Sequence, residues 1–81
     1  MTAVRRRMRA HAQRRAHERY GIRLGHDAYR SLVAQIESGR APVIERRPGH
    51  AAVYVTRHGR CDLLAVYVPR FRAIATFLPM S

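Results

Sequence analysis

The chain has 81 residues, which is enough for one small domain but too few to enclose a large active site. Hydrophobic residues make up 47% of it, a share that excludes an intrinsically disordered tail. All 16 basic residues are arginines and only five residues are acidic, giving a formal charge of +11. This charge predicts a polyanionic partner, either a nucleic acid or an acidic protein, unless it only keeps the chain soluble.

Further classes of protein are excluded by single features of the sequence. One cysteine, Cys61, cannot form an internal disulfide and suits a reducing compartment. No apolar run approaches the length of a membrane span, about 18 residues, and no secretory signal follows the arginine-rich start. The five histidines lie apart, without cysteines or carboxylates at metal-ligand spacing. We therefore expect a cytoplasmic protein with no membrane contact, no metal and no cofactor.

The first predicted helix runs from about Val4 to Tyr20 and ends at Gly21, a residue suited to the left-handed C-cap position. Within it, a basic residue followed by an apolar one recurs every four positions, which draws two neighbouring ridges on a helix. The apolar ridge (Met8, Ala12, Ala16, Tyr20) is expected to dock on a sheet, with the basic ridge (Arg7, His11, Arg15, Arg19) along its rim. Residues 1–9 are expected to form a basic arm that frays at the N-terminus.

A second helix is predicted from Gly25–Asp27, with Asp27 as the N-cap or as a first-turn acid, to Ser38–Gly39. Short β-branched and aromatic runs follow, separated by turns that contain proline or glycine. The predicted strands are Ala41–Arg47, Ala51–Arg57, Cys61–Val68 and Ala73–Leu78. Short connections predict an antiparallel meander. The expected fold class is therefore α+β, a single domain of residues 1–81 with two N-terminal helices packed on one face of a four-stranded sheet.

Three segments of the chain carry a family resemblance. The segment His11–Ile22 has the pattern His-Ala-x-x-Arg-Ala-x-x-Arg-Tyr-Gly-Ile, and Val66–Val68 and Ile74–Pro79 are apolar closing runs. From His11 to Pro79 the chain resembles small phage and bacterial proteins of the RelE-like and colicin-D-like ribonuclease toxin group. The resemblance implies a RelE-like fold, metal-independent cleavage of RNA, a ribosome or RNA as substrate, and an antitoxin as a possible partner.

The resemblance also implies roles for individual residues. By position, His11 would be the base for a ribose 2′-OH, Arg57 would stabilise the phosphate, and Thr76 would be the late-strand hydroxyl that supports it. The sequence departs from the group in two places. Val68 stands where the third strand usually ends in an aspartate, and the turn that follows is Pro-Arg-Phe-Arg instead of an acidic or asparagine-rich one.

The chemistry of His11 can also be argued from its neighbours alone. Arg7 and Arg15 flank it on the basic ridge, and their charges disfavour an imidazolium and leave the ring available as a base near neutral pH. Such a base can take a 2′-OH proton while Arg15 meets the developing negative charge. The alternatives are a phosphate contact or a histidine that only packs at the edge of the helix–sheet contact.

Nucleic-acid contacts are predicted on the basic ridge and in the last two turns. Arg15 and Arg19 are expected to clamp phosphates unless they pair with a glutamate such as Glu18. Phe71 lies between two arginines, as in proteins that stack single-stranded bases; the alternative is that it plugs one end of the core. Thr76 alternates with Ile74, which would turn it towards the helices. The full predicted set is Arg7, Arg15, Arg19, Arg57, His58, Arg60, Arg70 and Arg72.

The leading prediction is a small basic RNA-binding protein, in its finer form a metal-independent ribonuclease toxin of phage or mobile-element origin. Its catalytic residues would be His11, Arg15, Arg57 and Thr76. The competing prediction is a non-catalytic phage effector on the same scaffold, which inhibits an acidic host protein or binds DNA through its arginines. The first strand carries charges and ends at a proline, which protects the sheet edge, so we expect a monomer or a discrete dimer.

Overall fold

The computed structural model describes residues 2–80 and contains two helices followed by four strands. Helix α1 spans Thr2–Tyr20 and α2 spans His26–Glu37. The strands are β1 (Val43–Arg46), β2 (Ala52–His58), β3 (Cys61–Val68) and β4 (Ala73–Leu78). They form one antiparallel sheet in the order β1-β2-β3-β4. The predicted α+β fold with a meander sheet is confirmed.

The helix ends follow the predicted signals with small differences. Helix α1 begins two residues before the predicted start, so most of the predicted arm is helical, and Met1 lies outside the described residues. Gly21 has a φ of 68°, the left-handed conformation expected there, and its N–H bonds to the His17 carbonyl at 3.0 Å. Asp27 is a first-turn acid, since Gly25 occupies the N-cap of α2.

The core lies between the two helices and one face of the sheet. Ala12 and Ala16 of α1 are completely buried, and their small side chains let the helix backbone approach β4 closely. Larger side chains from α2 and the sheet fill the remaining space. They are Tyr29, Leu32, Ile36, Leu63, Tyr67, Ile74 and Phe77. Leu32 and Phe77 are at most 1% exposed, so truncating either to alanine should cost about 2–5 kcal/mol.

Two tyrosine hydroxyls fix the helices to strand backbone. The Tyr29 hydroxyl of α2 donates to the Ile74 carbonyl at 2.8 Å and accepts from the Ile74 N–H at 2.9 Å. The Tyr20 hydroxyl of α1 donates to the Leu78 carbonyl and accepts from the Leu64 N–H. Because these bonds satisfy buried or half-buried backbone groups, they hold both helices at defined positions over β4.

Strand β4 contains a bulge that changes which side chains face the helices. Tyr67 pairs with Ile74, but the preceding residue of β3, Val66, pairs with Thr76, so Ala75 is an extra residue in β4. Ile74 lies in the core, whereas Thr76 lies opposite Val66 on the sheet face away from the helices. The expected orientation of Thr76 towards the helices is therefore wrong, because the bulge breaks its alternation with Ile74.

Candidate nucleic-acid interface

A groove with a volume of about 690 Å³ runs between the first half of α1, the length of α2 and the start of β4. Five arginines line it, from three different segments of the chain. They are Arg5, Arg6, Arg9, Arg30 and Arg72. We call this the arginine groove. Tyr29, Val33 and Ala73 contribute uncharged lining, and Glu37 is the one carboxylate among its described lining residues.

The spacing of side chains on α1 explains why arginines reach this groove. Arg5, Arg9, Ala12 and Ala16 are separated by four, three and four residues, so they share one helical stripe. The two alanines pack against β4, whereas the two arginines precede them and extend the same stripe over α2. Arg5 is exposed and Arg9 half-buried. The stripe that docks α1 on the sheet therefore also points arginines into the groove.

Tyr29 lines the same groove as Arg5 and Arg9, and their charges act on its hydroxyl. Burial raises the pKa of the Tyr29 hydroxyl. The bond to the Ile74 backbone and the positive charges of Arg9 and Arg5 partly offset that rise. Arg5 and Arg9 therefore both contribute positive potential on the Tyr29 side of the groove.

Helix α2 lines the opposite wall through two adjacent ridges with a spacing of four. One ridge contains His26, Arg30 and Ala34, and the other contains Tyr29, Val33 and Glu37. Leu32 and Ile36, on the neighbouring face, are buried in the core. The amphipathic arrangement of α2 thus also orients His26 and Arg30 outwards into the groove.

Glu37 closes one end of the groove with its charge already engaged. Its Oε2 accepts a hydrogen bond from the Tyr67 hydroxyl at 2.6 Å and one from Arg72 Nε at 3.3 Å. The Tyr67 bond, helped by Arg72 and opposed by burial, lowers the pKa of Glu37. Burial, together with the bond to Glu37, raises the pKa of Tyr67 to about 12. Glu37 therefore stays ionised; among residues 2–80 it forms an ion pair with Arg72 alone, although the charge of Arg5 also lowers its pKa.

Three arginines predicted as phosphate contacts are held in structural contacts instead. Arg15 Nη1 lies 2.5 Å from Glu18 Oε1, so the pairing alternative holds for this residue. Arg19 Nη1 donates to the Phe77 carbonyl at 3.2 Å and ties α1 to β4. Arg57 Nε lies 3.3 Å from the Gly59 carbonyl and 3.9 Å from Asp62 Oδ1. The Arg57 backbone is itself bound by the Gln35 side chain.

The four predicted catalytic residues are not brought together. His11 is half-buried on α1, and its Nδ1 lies 3.4 Å from Arg14 Nη2. The Thr76 side chain lies on the sheet face away from the helices, so the backbone of β4 lies between it and α1. Arg57 belongs to the end of β2, beside the turn that leads to β3. The described residues thus contain no constellation in which His11 could act with Arg57 and Thr76 on one phosphate.

The other predicted contacts are spread over the surface. Arg7 is exposed on α1, and His58 and Arg60 flank the turn between β2 and β3. The guanidinium carbon of Arg70 lies 5.6 Å from the centre of the Phe71 ring. Of the eight predicted contacts, Arg72 alone lines the arginine groove. The sequence analysis missed Arg5, Arg6, Arg9 and Arg30, although the stripe shared by Arg5, Arg9, Ala12 and Ala16 would have indicated the first and third.

Comparison with known proteins does not assign this site to a family. Comparisons with family models, with curated proteins and with solved structures give no match. Among residues 2–80, histidine, cysteine and acidic side chains form no group of three that could hold a metal ion. No helix in this part of the chain is long and apolar enough to cross a membrane.

Proposed function

We propose that this protein binds RNA and that the arginine groove is its binding surface. One observation carries the proposal: Arg5, Arg6, Arg9 and Arg30 line one groove, and none of them has an ion-pair partner within residues 2–80. Four of the five carboxylates are paired with other arginines. The fifth, Asp27, is exposed in the first turn of α2. The positive charge of the groove is therefore available to an external anion.

The composition of the groove favours a phosphate backbone over an acidic protein. Guanidinium groups bind phosphate with two parallel hydrogen bonds, and their stems stay ordered when they pack on a helix surface. Protein interfaces usually add an apolar centre to such charges. The large exposed apolar side chains of the described residues, Val43, Ile44 and Met80, lie outside the groove. Binding to an acidic protein is therefore the alternative that the experiment must test.

The proposal is binding without cleavage. A ribonuclease needs a base, a phosphate stabiliser and a substrate oxygen within hydrogen-bond reach of each other. His11 lies on α1, whereas Thr76 lies across the sheet and Arg57 is engaged at the end of β2. Cleavage centred on His11 is therefore an outcome that the experiment must be able to detect, but the arrangement of these side chains gives it no support.

The test uses two double variants of α1 with the same change in net charge. The groove variant is Arg5→Gln with Arg9→Gln, and the outer-face variant is Arg7→Gln with Arg14→Gln. Arg7 and Arg14 are exposed and lie on the side of α1 opposite to Arg5. Glutamine has a helix propensity close to that of arginine, so both variants should fold like the wild type.

Binding of labelled RNA is measured in the presence of EDTA, with cleavage scored on the same samples. We expect intact RNA to be retained by the wild type and by the outer-face variant, and released from the groove variant. Equal binding by all three proteins would exclude the groove as the site. Tighter binding of polyglutamate than of RNA with the same charge would transfer the proposal to an acidic protein. EDTA-resistant cleavage that is lost in His11→Ala would restore the ribonuclease prediction.

A further inference from the structure

We infer that the arginine groove takes single-stranded RNA and that Phe71, the residue before the groove-lining Arg72, stacks on one unpaired base. This inference rests on the RNA binding proposed above and specifies which form of RNA is bound. It depends on the position of one aromatic side chain relative to the core and to two arginines.

Phe71 differs from the other aromatic residues of the chain in its packing. Tyr29, Tyr67 and Phe77 belong to the core, and Tyr20 and Tyr54 pack against it. Phe71 is half-buried and does not belong to that cluster or to the side chains packed on it. The alternative that Phe71 plugs one end of the core is therefore not what the structure shows. The half-buried Phe71 ring is therefore not used by that cluster.

The turn between β3 and β4 fixes the backbone of Phe71 next to a residue that lines the groove. The Phe71 N–H donates to the Val68 carbonyl and the Arg72 N–H donates to the Pro69 carbonyl, both at 3.1 Å. Arg72 has a φ of 49°, so the turn reverses the chain at this point. Its side chain lines the groove, one residue after the aromatic ring. The inference is that a strand of RNA whose phosphates contact Arg72 continues over Phe71.

Arg70 supplies a second planar group at the same place. Its guanidinium carbon lies 5.6 Å from the centre of the Phe71 ring, within the range of a cation–π contact. A nucleobase offers the same kind of flat, polarisable face to both groups. Single-strand binding proteins combine these elements, a basic groove for the backbone and an aromatic ring with arginine for the bases.

The pairing state of the RNA decides whether this platform can be used. In a duplex the bases are stacked on each other and the deep groove of A-form RNA hides their faces from side chains. An unpaired base can swing out and lie on Phe71. The platform thus adds affinity for single strands only, while the arginines of the groove attract both forms through their phosphates.

The test compares Phe71→Leu, Phe71→Trp and the wild type on a single-stranded RNA and on a blunt duplex of the same length. Leucine keeps the apolar volume but removes the flat face, and tryptophan keeps the face. We expect Phe71→Leu to weaken single-strand binding about tenfold and to leave duplex binding within about twofold. Phe71→Trp should bind single strands at least as tightly as the wild type. Because Phe71 lies outside the core, thermal unfolding of both variants should stay close to wild type.

A 2-aminopurine base placed at successive positions of the single strand reports stacking directly, because its fluorescence falls when it stacks. We expect quenching at one or two positions in complex with the wild type and its loss in Phe71→Leu. If Phe71→Leu weakens both RNA forms equally, or neither, the stacking inference is wrong. The proposed function fails separately, when the groove variant binds both forms like the wild type.

Discussion

The salt dependence of RNA binding tests the arginine groove quantitatively. Each phosphate that a protein neutralises on a single strand changes the slope of log K against log salt by about −0.7. Four arginines of the groove have no ion-pair partner among residues 2–80. If each contacts one phosphate, the groove contributes a slope of about −2.8, so a fourfold rise in salt weakens its contribution about 50-fold.

The groove variant, Arg5→Gln with Arg9→Gln, removes two of these contacts. Its slope should be shallower by about 1.4, so the same fourfold rise in salt weakens the groove contribution only about sevenfold. The outer-face variant, Arg7→Gln with Arg14→Gln, carries the same net charge and should keep a slope close to that of the wild type. Fluorescence anisotropy with a labelled single-stranded RNA, titrated at four or five salt concentrations, gives all three slopes.

The salt slopes of the two variants decide whether the position of the arginines matters or only their number. If both change the slope by the same amount, binding follows the net charge of +11 and not the position of the arginines. If only the outer-face variant changes it, the exposed face of α1 that carries Arg7 and Arg14 is the binding surface. Far-UV circular dichroism on both variants checks that α1 is intact before the slopes are interpreted.

Three further predictions concern the residues that hold the groove in shape. The pKa of Tyr67 is raised to about 12. The folding stability that its protonated hydroxyl contributes is therefore complete below about pH 10 and is lost as the pH rises towards 12. Urea unfolding should show a loss of up to about 3 kcal/mol from Tyr67 that Tyr67→Phe removes, while the smaller alkaline loss from Tyr29, whose pKa is also raised, remains. The pKa of Glu37 is lowered, so the folding stability that its carboxylate contributes is present above its ordinary pKa of 4.5. That stability is lost as the pH falls through the pKa of Glu37 in the folded protein. Acid titration of Glu37→Gln should lack this phase, and a wild-type acid transition in that variant would contradict the assignment. Tyr29→Phe leaves both Ile74 backbone groups without the hydroxyl, which should cost about 1–3 kcal/mol in chemical denaturation; a loss below about 0.5 kcal/mol would mean that these bonds do not fix α2.

The fold was predictable from local patterns because each element depends on neighbours in the sequence. The change from helical to alternating periodicity at Ala41 and the turns at Gly49 and Gly59 set the strands close to their observed bounds. Gly21 marked the end of α1 because few other residues adopt a positive φ easily. The buried Ala12 and Ala16 confirm the apolar ridge.

The site was less predictable because it depends on contacts between distant residues. Arg19 is engaged by the carbonyl of Phe77, which is 58 residues away, and no local pattern indicates such a bond. The bulge at Ala75 turns Thr76 to the far face of the sheet, although in a regular strand Thr76 would share the face of Ile74, two residues before it. Arg5 and Arg9 follow from one stripe on α1, but only the packed position of α2 shows that the stripe faces a groove.

If RNA lies in the arginine groove, it contacts the arginine side chains there. NMR titration of the 81-residue chain measures this contact. The Nε–Hε signals of arginine side chains are observed in labelled protein while single-stranded RNA is added. We expect the signals of Arg5, Arg9 and Arg30 to shift first and furthest, while those of Arg7 and Arg14 stay nearly unchanged. Larger shifts at Arg7 and Arg14 than in the groove, or no shift at any arginine, would contradict the account.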